Sequence, residues 1–222
     1  MGHRQAKSML FDGFAEVAVS LGNGRRVELI DLLSQGEHHV KGLAAEIDQS
    51  VANTSFHLRA LAAAGLVSTR RDGNRVYYQI ASQSVADLWR ALRVVAKDHF
   101  IMLDELARAY LGDRSSLDQI SREELVRRLD DGDIIVLDVR PEREYAAGHI
   151  EGALSIPIDQ LAKQVRALRT DVEIVVYCRG PFCVFADDAV RLLRSTDRRV
   201  RRLEDGFPEW RNAQLPVKSS IY

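Results

Sequence analysis

The feature that most constrains the fold is a strand, a tight loop and a helix that follow one another around Cys178. Residues 174–177 form a continuous β-branched and aromatic run, typical of a buried parallel strand, and Cys178 follows its last residue. A Gly-Pro turn comes next, and a helical pattern begins at Ala186. Loop amides and a helix N-terminus converge at such a junction and favour an anion. We therefore expect Cys178 to be a competent nucleophile, the alternative being a small core residue.

Length and charge limit the classes of protein that this chain can represent. A chain of 222 residues favours two modest domains. The formal net charge of −1 does not indicate a nucleic-acid binder, so any such site must be a local patch. Two cysteines give no disulfide framework and favour a reducing compartment. No apolar run resembles a signal peptide or a membrane span, so we expect a soluble, cytoplasmic protein without membrane contact.

The first half of the chain, residues 1–113, has mostly helical patterns. Residues 1–8 are polar and are expected to be frayed, and two helices are predicted between Phe14 and Leu33, interrupted at residues 22–24. Two more helices are predicted at residues 40–47 and 51–64. The apolar residues expected to be buried in the second of these are Phe56 (or Ala52), Leu58, Leu61 and Ala62. Two short strands around a turn at residues 71–74 follow, which completes a winged helix-turn-helix pattern.

Short polar and basic side chains follow the predicted exposed face of the helix at residues 51–64. They are Asn53, Thr54, Ser55, His57 and Arg59. These side chains suit base edges and phosphates in a major groove. The hairpin adds Arg70, Arg71, Arg75 and Tyr77. The local excess of arginine over acidic residues is what a phosphate-binding surface requires, and the alternative is a solvated helix with a basic turn.

Residues 54–61, 64–67 and 71–78 resemble the recognition helix and wing of the ArsR/SmtB family of bacterial repressors. The resemblance covers roughly residues 10–110 and implies a homodimer that binds a pseudo-palindromic operator in double-stranded DNA. The family often senses metals through a cysteine pair, but the matching stretch here, residues 37–41, has no cysteine. Asp98 and His99 on the last helix lack partners at the usual spacing. We therefore expect no metal site, with His38 and His39 at the surface.

One long amphipathic helix is predicted from Ser84 to Leu111. Its apolar stripe is too wide for one small domain to cover. We expect it to form a dimer interface together with the first helix. The alternative is that it packs against the second domain.

The second half, residues 114–222, begins after a polar linker at residues 112–116 and alternates strands with helices. This order predicts an α/β domain with a parallel sheet covered on both faces. Residues 121–124 form a capping box that opens a helix. The basic run at residues 198–202 is expected to be a solvated strand flank with Val200 inward, and DNA contact is the alternative.

This half resembles the rhodanese domain. The matching pieces occur in the same order, and they are Asp138, Arg140, residues 145–153, the Cys178 loop and residues 203–210. The resemblance implies that Cys178 accepts a sulfane sulfur from a donor and holds it as a persulfide. The loop, with Arg179 and Gly180, would surround the anion, and Asp138 and Arg140 would support it. The short loop favours sulfur over the phosphate chemistry of relatives with a longer loop.

The loop departs from the rhodanese pattern at its last position. Many rhodaneses carry an arginine there, and this chain carries Cys183, so Arg179 is the candidate substitute for the lost cation. Cys183 is either a buried residue at the helix start or a resolving thiol. A resolving thiol would attack the Cys178 persulfide or close a disulfide or polysulfide bridge.

The sequence as a whole predicts a dimeric repressor whose rhodanese-like domain detects reactive sulfur, or another thiol modifier, at Cys178 without a cofactor. The alternative is a sulfurtransferase in which DNA binding is subordinate. An enzyme would turn over with a donor and an acceptor, whereas a sensor would stop after one sulfur. A degenerate rhodanese fold used only for protein contacts is a third interpretation, which the intact Cys178 disfavours.

Overall fold

The computed structural model describes residues 2–220, apart from the side chains of residues 130 and 131. The chain divides between Phe100 and Ile101 into two compact units. The first unit contains α1 (His3–Leu21), α2 (Gly24–Leu33), β1 (His38–His39), α3 (Val40–Glu46), α4 (Val51–Ala63), β2 (Val67–Asp72), β3 (Arg75–Ile80) and α5 (Gln83–His99). Its three strands form an antiparallel sheet in the order β1-β3-β2.

The predicted helix-turn-helix and wing are present in this first unit. Asn23 ends the interruption between α1 and α2, because its side chain accepts hydrogen bonds from the backbone N–H groups of Arg25 and Arg26. Ser50 caps α4 in the same way through the N–H of Asn53. The core contains Leu29, Ile30, Leu33, Leu43, Ile47, Leu58, Leu61, Leu66 and Val85.

Two expectations about the first unit are wrong. The helix α1 begins at His3, so residues 3–8 are helical although exposed, because Arg4, Gln5, Ala6 and Lys7 are good helix formers. His38 is buried rather than on the surface. It belongs to β1, a strand that was not predicted, and it pairs there with Tyr78 of β3. His39 is partly buried and caps α3, since its Nδ1 accepts a hydrogen bond from the N–H of Gly42.

The predicted single helix from Ser84 to Leu111 is two helices. The helix α5 ends at His99, and α6 (Leu103–Leu111) begins after three residues that are all exposed. The charges at the break suit two helix ends, because Lys97 and His99 lie in the last turn of α5 and Asp104 and Glu105 lie in the first turn of α6.

The second unit begins with α6 and contains a parallel sheet. Its further elements are β4 (Gln119–Ile120), α7 (Arg122–Asp131), β5 (Ile134–Asp138), α8 (Glu142–Ala147), β6 (His149–Ile150), β7 (Leu154–Ser155), α9 (Ile158–Gln164), a 3-10 turn (Val165–Ala167), β8 (Glu173–Tyr177), α10 (Val184–Arg194), β9 (Val200–Leu203), α11 (Phe207–Asn212) and β10 (Val217–Lys218). Five strands pair in parallel in the order β4-β9-β8-β5-β7, and β10 pairs with β6.

The sheet is covered on both faces, as predicted. Alternate residues of β5 and β8 enter two separate cores, so that Ile174 and Val176 lie in one and Val175 and Tyr177 in the other. The helices α9 and α10 cover the first face, and α7 and α11 cover the second. Cys178 therefore follows the central strand at its carboxyl end. In the described part of the chain, none of the helices combines the length and apolar character needed to cross a membrane.

Candidate thiol site and candidate nucleic-acid interface

A disulfide joins Cys178 to Cys183 across a six-residue loop. Cys178 is buried at the end of β8, and Cys183 is the N-cap residue of α10. The loop is tight, with a Cα–Cα distance of 6.3 Å between the two cysteines and a hydrogen bond of 3.2 Å from Cys183 N to Gly180 O. The two cysteines singled out in the sequence are thus in direct covalent contact.

Two backbone N–H groups of this loop, that of buried Gly180 and that of exposed Phe182, are candidates for binding an anion. Among the residues that the structure describes, the N–H groups of Gly180 and Phe182 have no hydrogen-bond acceptor. The loop leads into α10, whose N-terminus carries the positive end of the helix dipole. This surrounding suits an anionic sulfur species better than a neutral one.

Two arginines that the sequence analysis did not assign to the site bind the loop carbonyl groups. Arg202 donates from Nη2 to Gly180 O and Pro181 O at 3.2 Å each. Arg114 donates to Pro181 O at 2.6 Å and to Cys183 O at 3.3 Å. Both guanidinium groups pair with Asp187, which is fully buried in the first turn of α10. The loop is therefore held through its carbonyl groups by a cluster of two cations and one anion.

Arg202 corrects the expectation of a solvated basic strand. Val200 is buried as expected, but Arg202 is 1% exposed. Burial, together with the nearby charge of Arg114, lowers the pKa of Arg202 although Asp187 opposes the change. The sequence contained a signal for this site. A strand covered on both faces is expected to bury Arg202, and a buried arginine needs a buried anion as its partner.

Asp138 and Arg140 form a buried network beside the last residue of β8. Arg140 binds Asp138 through Nε (3.0 Å to Oδ1) and Nη2 (2.6 Å to Oδ2), and also donates to Gly148 O at 2.7 Å. The hydroxyl of Tyr177 donates to Asp138 Oδ2. Burial, and then the Asp138 charge, raises the pKa of Tyr177 well above its ordinary value. The network fixes Tyr177, the residue that precedes Cys178, and so supports the thiol indirectly.

Arg179 is paired with a carboxylate, which bears on its predicted role as substitute cation. Its Nη2 lies 2.6 Å from Glu144 Oε1, and its Nε lies 3.0 Å from Oε2. The guanidinium also lies over the Phe185 ring at 5.4 Å. The buried Glu144 carboxylate therefore compensates the charge of Arg179. That Arg179 replaces the arginine missing at position 183 stays a prediction.

The candidate nucleic-acid interface on α4 differs from the prediction at two positions. Asn53 and Arg59 are exposed, and Ser55 and His57 are partly exposed, as expected. Thr54 is fully buried, and its hydroxyl donates to Ser50 O at 3.0 Å, so it cannot reach a base. Phe56, expected in the core, is 61% exposed. The buried face runs through positions 54, 58 and 61, which are spaced i, i+4 and i+7.

The wing carries one arginine that is paired with a carboxylate and two that are not. Arg70 is held in place, because it forms a two-pronged pair with Glu37 and lies 4.9 Å from the centre of the Tyr77 ring. The hydrogen bonds that Arg70 donates to the Glu37 carboxylate are the main cause that raises the pKa of Arg70. Arg71 and Arg75 are exposed, and no acidic side chain in the described residues pairs with either. These two arginines are the wing cations that remain free for phosphate.

Large apolar side chains are exposed on α1 and α5. Phe11 and Phe14 on α1 are 59% and 64% exposed. On α5 the exposed apolar residues are Leu88, Leu92, Val94 and Val95. Exposed apolar side chains therefore occur on both of the helices that were predicted to contribute to a dimer interface.

Two family models match the chain. The bacterial regulatory protein arsR family matches residues 23–69, and the rhodanese-like domain matches residues 121–213. The HTH-type transcriptional regulator Rv0324 of Mycobacterium tuberculosis is 46% identical over 97% of this chain and 95% of its own length. The tRNA uridine(34) hydroxylase of Salmonella newport is 42% identical over 28% of this chain, which spans 20% of that enzyme.

A solved structure is also similar to part of the chain. It is the solution structure of a homodimeric winged helix-turn-helix DNA-binding domain from Mycobacterium bovis, described as a possible ArsR-family transcriptional regulator. It is 41% identical, covers 45% of this chain and 92% of its own, and has a TM-score of 0.42.

Proposed function

The chain belongs to the arsR family of bacterial regulatory proteins and carries a rhodanese-like domain, and from this premise we propose that it is a repressor whose operator affinity depends on reactive sulfur at Cys178. In this proposal the DNA-binding unit acts as a homodimer. The rhodanese-like domain supplies the signal.

The bond between Cys178 and Cys183 is the observation that carries the proposal. These are the only two cysteines of the chain, and the loop between them offers free N–H groups to an anion. A site that binds anionic sulfur and also closes its own disulfide has two chemically distinct end states. Two such states are what a switch requires.

The two cysteines of the loop and a polysulfide are sufficient reactants for closing the disulfide. In the reduced chain the Cys178 thiolate attacks a sulfane sulfur of a polysulfide, the S–S bond of the polysulfide breaks, and the shortened polysulfide leaves with the electron pair. The product is a Cys178 persulfide. The Cys183 thiolate then attacks Cys178 Sγ and displaces hydrosulfide. The two cysteines lose two electrons, and the sulfane sulfur gains them and leaves as hydrosulfide.

The same disulfide favours a sensor over the alternative, a sulfurtransferase. A transferase must keep its persulfide until an acceptor arrives. Here Cys183 can discharge the persulfide within the loop before transfer, and the end product needs an added reductant to be used again. Turnover with a donor and a sulfur acceptor, either cyanide or a dithiol, is compared between the parent and Cys183→Ser. The comparison measures how much sulfur transfer the second cysteine suppresses.

The surface of the first unit supports the DNA-binding part of the proposal. Arg59, Arg71 and Arg75 are exposed cations without an acidic partner among the described residues, and they flank the polar face of α4. The exposed apolar faces of α1 and α5 support a homodimer, since burying them in a second copy would remove that surface from water.

The test combines mass spectrometry with fluorescence anisotropy on a labelled duplex, selected from a random library by the reduced full-length protein. The parent, Cys178→Ser and Cys183→Ser are measured before and after polysulfide treatment. The parent should form the disulfide and change its affinity by roughly 5- to 150-fold, the range of typical coupling energies. Cys183→Ser should gain sulfur without a bridge, and Cys178→Ser should keep one affinity. Equal affinity of the parent in both states would contradict the proposal.

A further inference from the structure

We propose that Arg114 couples the sulfur state of the Cys178–Cys183 loop to the segment that precedes it in the chain, and through that segment to DNA binding. The inference rests on the proposed function and adds the route of regulation. Arg114 is a positioning residue in this proposal, because its contacts are with the loop backbone and with Asp187 rather than with sulfur.

The Arg114 side chain connects three groups around the loop. Its Nη1 donates to Pro181 O at 2.6 Å, its Nη2 donates to Cys183 O at 3.3 Å, and its Nε lies 2.5 Å from Asp187 Oδ2. The side chain is 19% exposed, so water competes little for these bonds. One guanidinium thus holds the carbonyl group of the resolving cysteine and the first turn of the helix that follows it.

The position of Cys183 must depend on the sulfur state. In the disulfide the two sulfur atoms are bonded, whereas two thiols can approach only to van der Waals contact. Opening the bond therefore separates the two Sγ atoms. Because Cys178 follows the central strand β8, we expect the Cys183 end of the loop to move. The carbonyl group that Arg114 binds belongs to the residue that moves. The dithiol and the disulfide, which differ by two electrons and two protons, should present Arg114 with different partners.

Hydrogen bonds hold the backbone around Arg114 in place. A displacement of the Arg114 side chain is therefore expected to shift this backbone as a unit. Gly112 ends α6 with φ of +72°, a conformation that favours glycine. The Asp113 carboxylate accepts from Ser115 N at 2.8 Å and from Ser115 Oγ at 3.0 Å. Leu117 N donates to Arg114 O at 3.0 Å, and Leu117 is buried in a core of the second unit.

Arg114 differs in its place in the chain from the other arginine that holds this loop. Arg202 binds the carbonyl groups of Gly180 and Pro181, but it lies on β9, which pairs with β4 on one side and β8 on the other. Arg114 lies three residues after α6, which the chain joins to α5 through residues 100–102. Of these two arginines, only Arg114 therefore lies on the segment that leads back along the chain to the first unit.

The experiment uses the full-length protein with Arg114→Ala and Arg114→Lys. The control is Arg194→Ala. Arg194 binds Ser116 O and Asp118 at 2.6 Å each and, within the described part of the chain, forms no hydrogen bond or ion pair with residues 178–183. Lysine keeps a charge beside Asp187 but cannot donate in a fixed fork to two carbonyl groups as well. Each protein is set to the dithiol with a phosphine or to the disulfide with polysulfide, and its state is verified by mass before anisotropy on the selected duplex.

The parent and Arg194→Ala should show an affinity difference between the two states of at least about 5-fold. In both Arg114 variants this difference should fall to less than about 2-fold, whatever the absolute affinity. If both variants, in verified dithiol and disulfide forms, keep the affinity difference of the parent, the inference is overturned while the proposed function stands. A parent without any difference overturns both.

A second readout does not depend on absolute stability. Coupling is reciprocal, so the duplex must change the equilibrium between dithiol and disulfide in the parent by the same factor that the sulfur state changes DNA affinity. The equilibrium is measured in glutathione redox buffers with and without the duplex, by trapping and mass spectrometry. The Arg114 variants should show no effect of DNA, whereas a merely destabilised loop would keep the effect. A DNA effect retained in both variants overturns the inference.

Discussion

Gly206 lies against the backbone of Gly180, with no room for a side chain between them. A Cβ added at position 206 would overlap the N and Cα atoms of Gly180 and the carbonyl carbon of Arg179. The neighbouring residue also binds the loop, because Phe207 N donates to Cys178 O at 3.0 Å. The stretch at residues 203–210, recognised in the sequence as part of the rhodanese pattern, therefore supports the thiol loop from outside.

This contact predicts the effect of Gly206→Ala. Backbone atoms cannot rotate away as a side chain can, so the loop must shift, at a cost of roughly 1–3 kcal/mol to the free energy of unfolding. The alkylation rate of reduced Cys178 should change as well, measured by mass spectrometry. Gly24→Ala, at a position with no atom within 4 Å of the added Cβ, should leave both quantities near the parent values. Parent-like unfolding and alkylation of Gly206→Ala would show that the contact does not constrain the loop.

Arg75→Ala should weaken DNA binding on all sequences alike. The side chain is an exposed cation of the wing, and removing one phosphate contact should reduce the slope of log affinity against log salt concentration by about 1. Anisotropy titrations over a series of salt concentrations measure this slope. Arg191→Ala, which removes an exposed arginine paired with Asp188 on α10, serves as the control and should keep the parent slope. An unchanged slope for Arg75→Ala would remove the wing from the interface.

Thr54 and Ser55 are neighbours on α4 with opposite expected effects. Thr54→Val removes a buried hydroxyl that binds Ser50 O and should lower the free energy of unfolding by about 1 kcal/mol without changing sequence preference. Ser55→Ala, at a partly exposed position, should change sequence preference with little effect on stability. Denaturant unfolding and selection from a random duplex library separate the two. A change of preference in Thr54→Val, with none in Ser55→Ala, would mean that another face of α4 meets the DNA.

Leu92→Asp should dissociate the proposed homodimer. Leu92 is 39% exposed in one chain, so a carboxylate there meets water in the monomer but would be buried and unpaired in a dimer seam, which costs several kcal/mol. Sedimentation velocity at micromolar concentration should show a dimer for the parent and a monomer for the variant. Gln83→Asp adds the same charge at the exposed start of α5 and should stay dimeric. A monomeric parent would sink the dimer proposal.

The ion pairs of Glu173 should make the free energy of unfolding of the second unit fall at acid pH. Burial acts to raise its pKa, but Arg128 and Arg201 bind the carboxylate and hold the pKa below the ordinary value of 4.5. A carboxyl with a lowered folded-state pKa stabilises the protein above its unfolded pKa, and this contribution is lost as the pH falls through the folded-state value. Thermal unfolding from neutral pH to below pH 4.5 should therefore show a shallower acid decline for Glu173→Gln.

The control for this prediction is Asp188→Asn, which removes a carboxylate from an exposed pair with Arg191. It should keep the acid decline of the parent, because an exposed pair contributes little to stability. Identical acid profiles for the parent and Glu173→Gln would contradict the assigned role of the network.

The elements that carry a strong local pattern could be predicted from the sequence. The run at residues 174–177 forms the strand β8, as predicted. The predicted turn at residues 71–74 is present, with Asp72 paired to Arg75 and the loop at residues 73 and 74. Ser121 caps α7 by accepting a hydrogen bond from Glu124 N, which is one half of the predicted capping box.

On α4 the prediction is correct for Leu58 and Leu61 but wrong for Phe56, because an apolar side chain on a helix favours a buried position without requiring it. Continuing the spacing back from Leu58 and Leu61 places Thr54 inside, where Ser50 satisfies its hydroxyl.

The charged cluster around the thiol loop could not be read from periodicity. Arg114, Asp187 and Arg202 are far apart in sequence and belong to a turn, a helix and a strand. A pattern of apolar residues shows which positions are buried, but not which charges meet there once the sheet order is fixed. The pairing depends on β9 lying next to β8, so that Arg202 reaches the loop at the end of the neighbouring strand.

The bond between Cys178 and Cys183 joins two residues of one chain that lie five positions apart. Its closure therefore needs no encounter with a second molecule of the protein, and its rate does not fall when only a few copies are present in a cell. A non-covalent inducer leaves its receptor when it is diluted, but this bond persists after the oxidant has gone. Under the proposed function, the supply of reducing thiols would set the duration of the response, and the disulfide would be a record of past exposure.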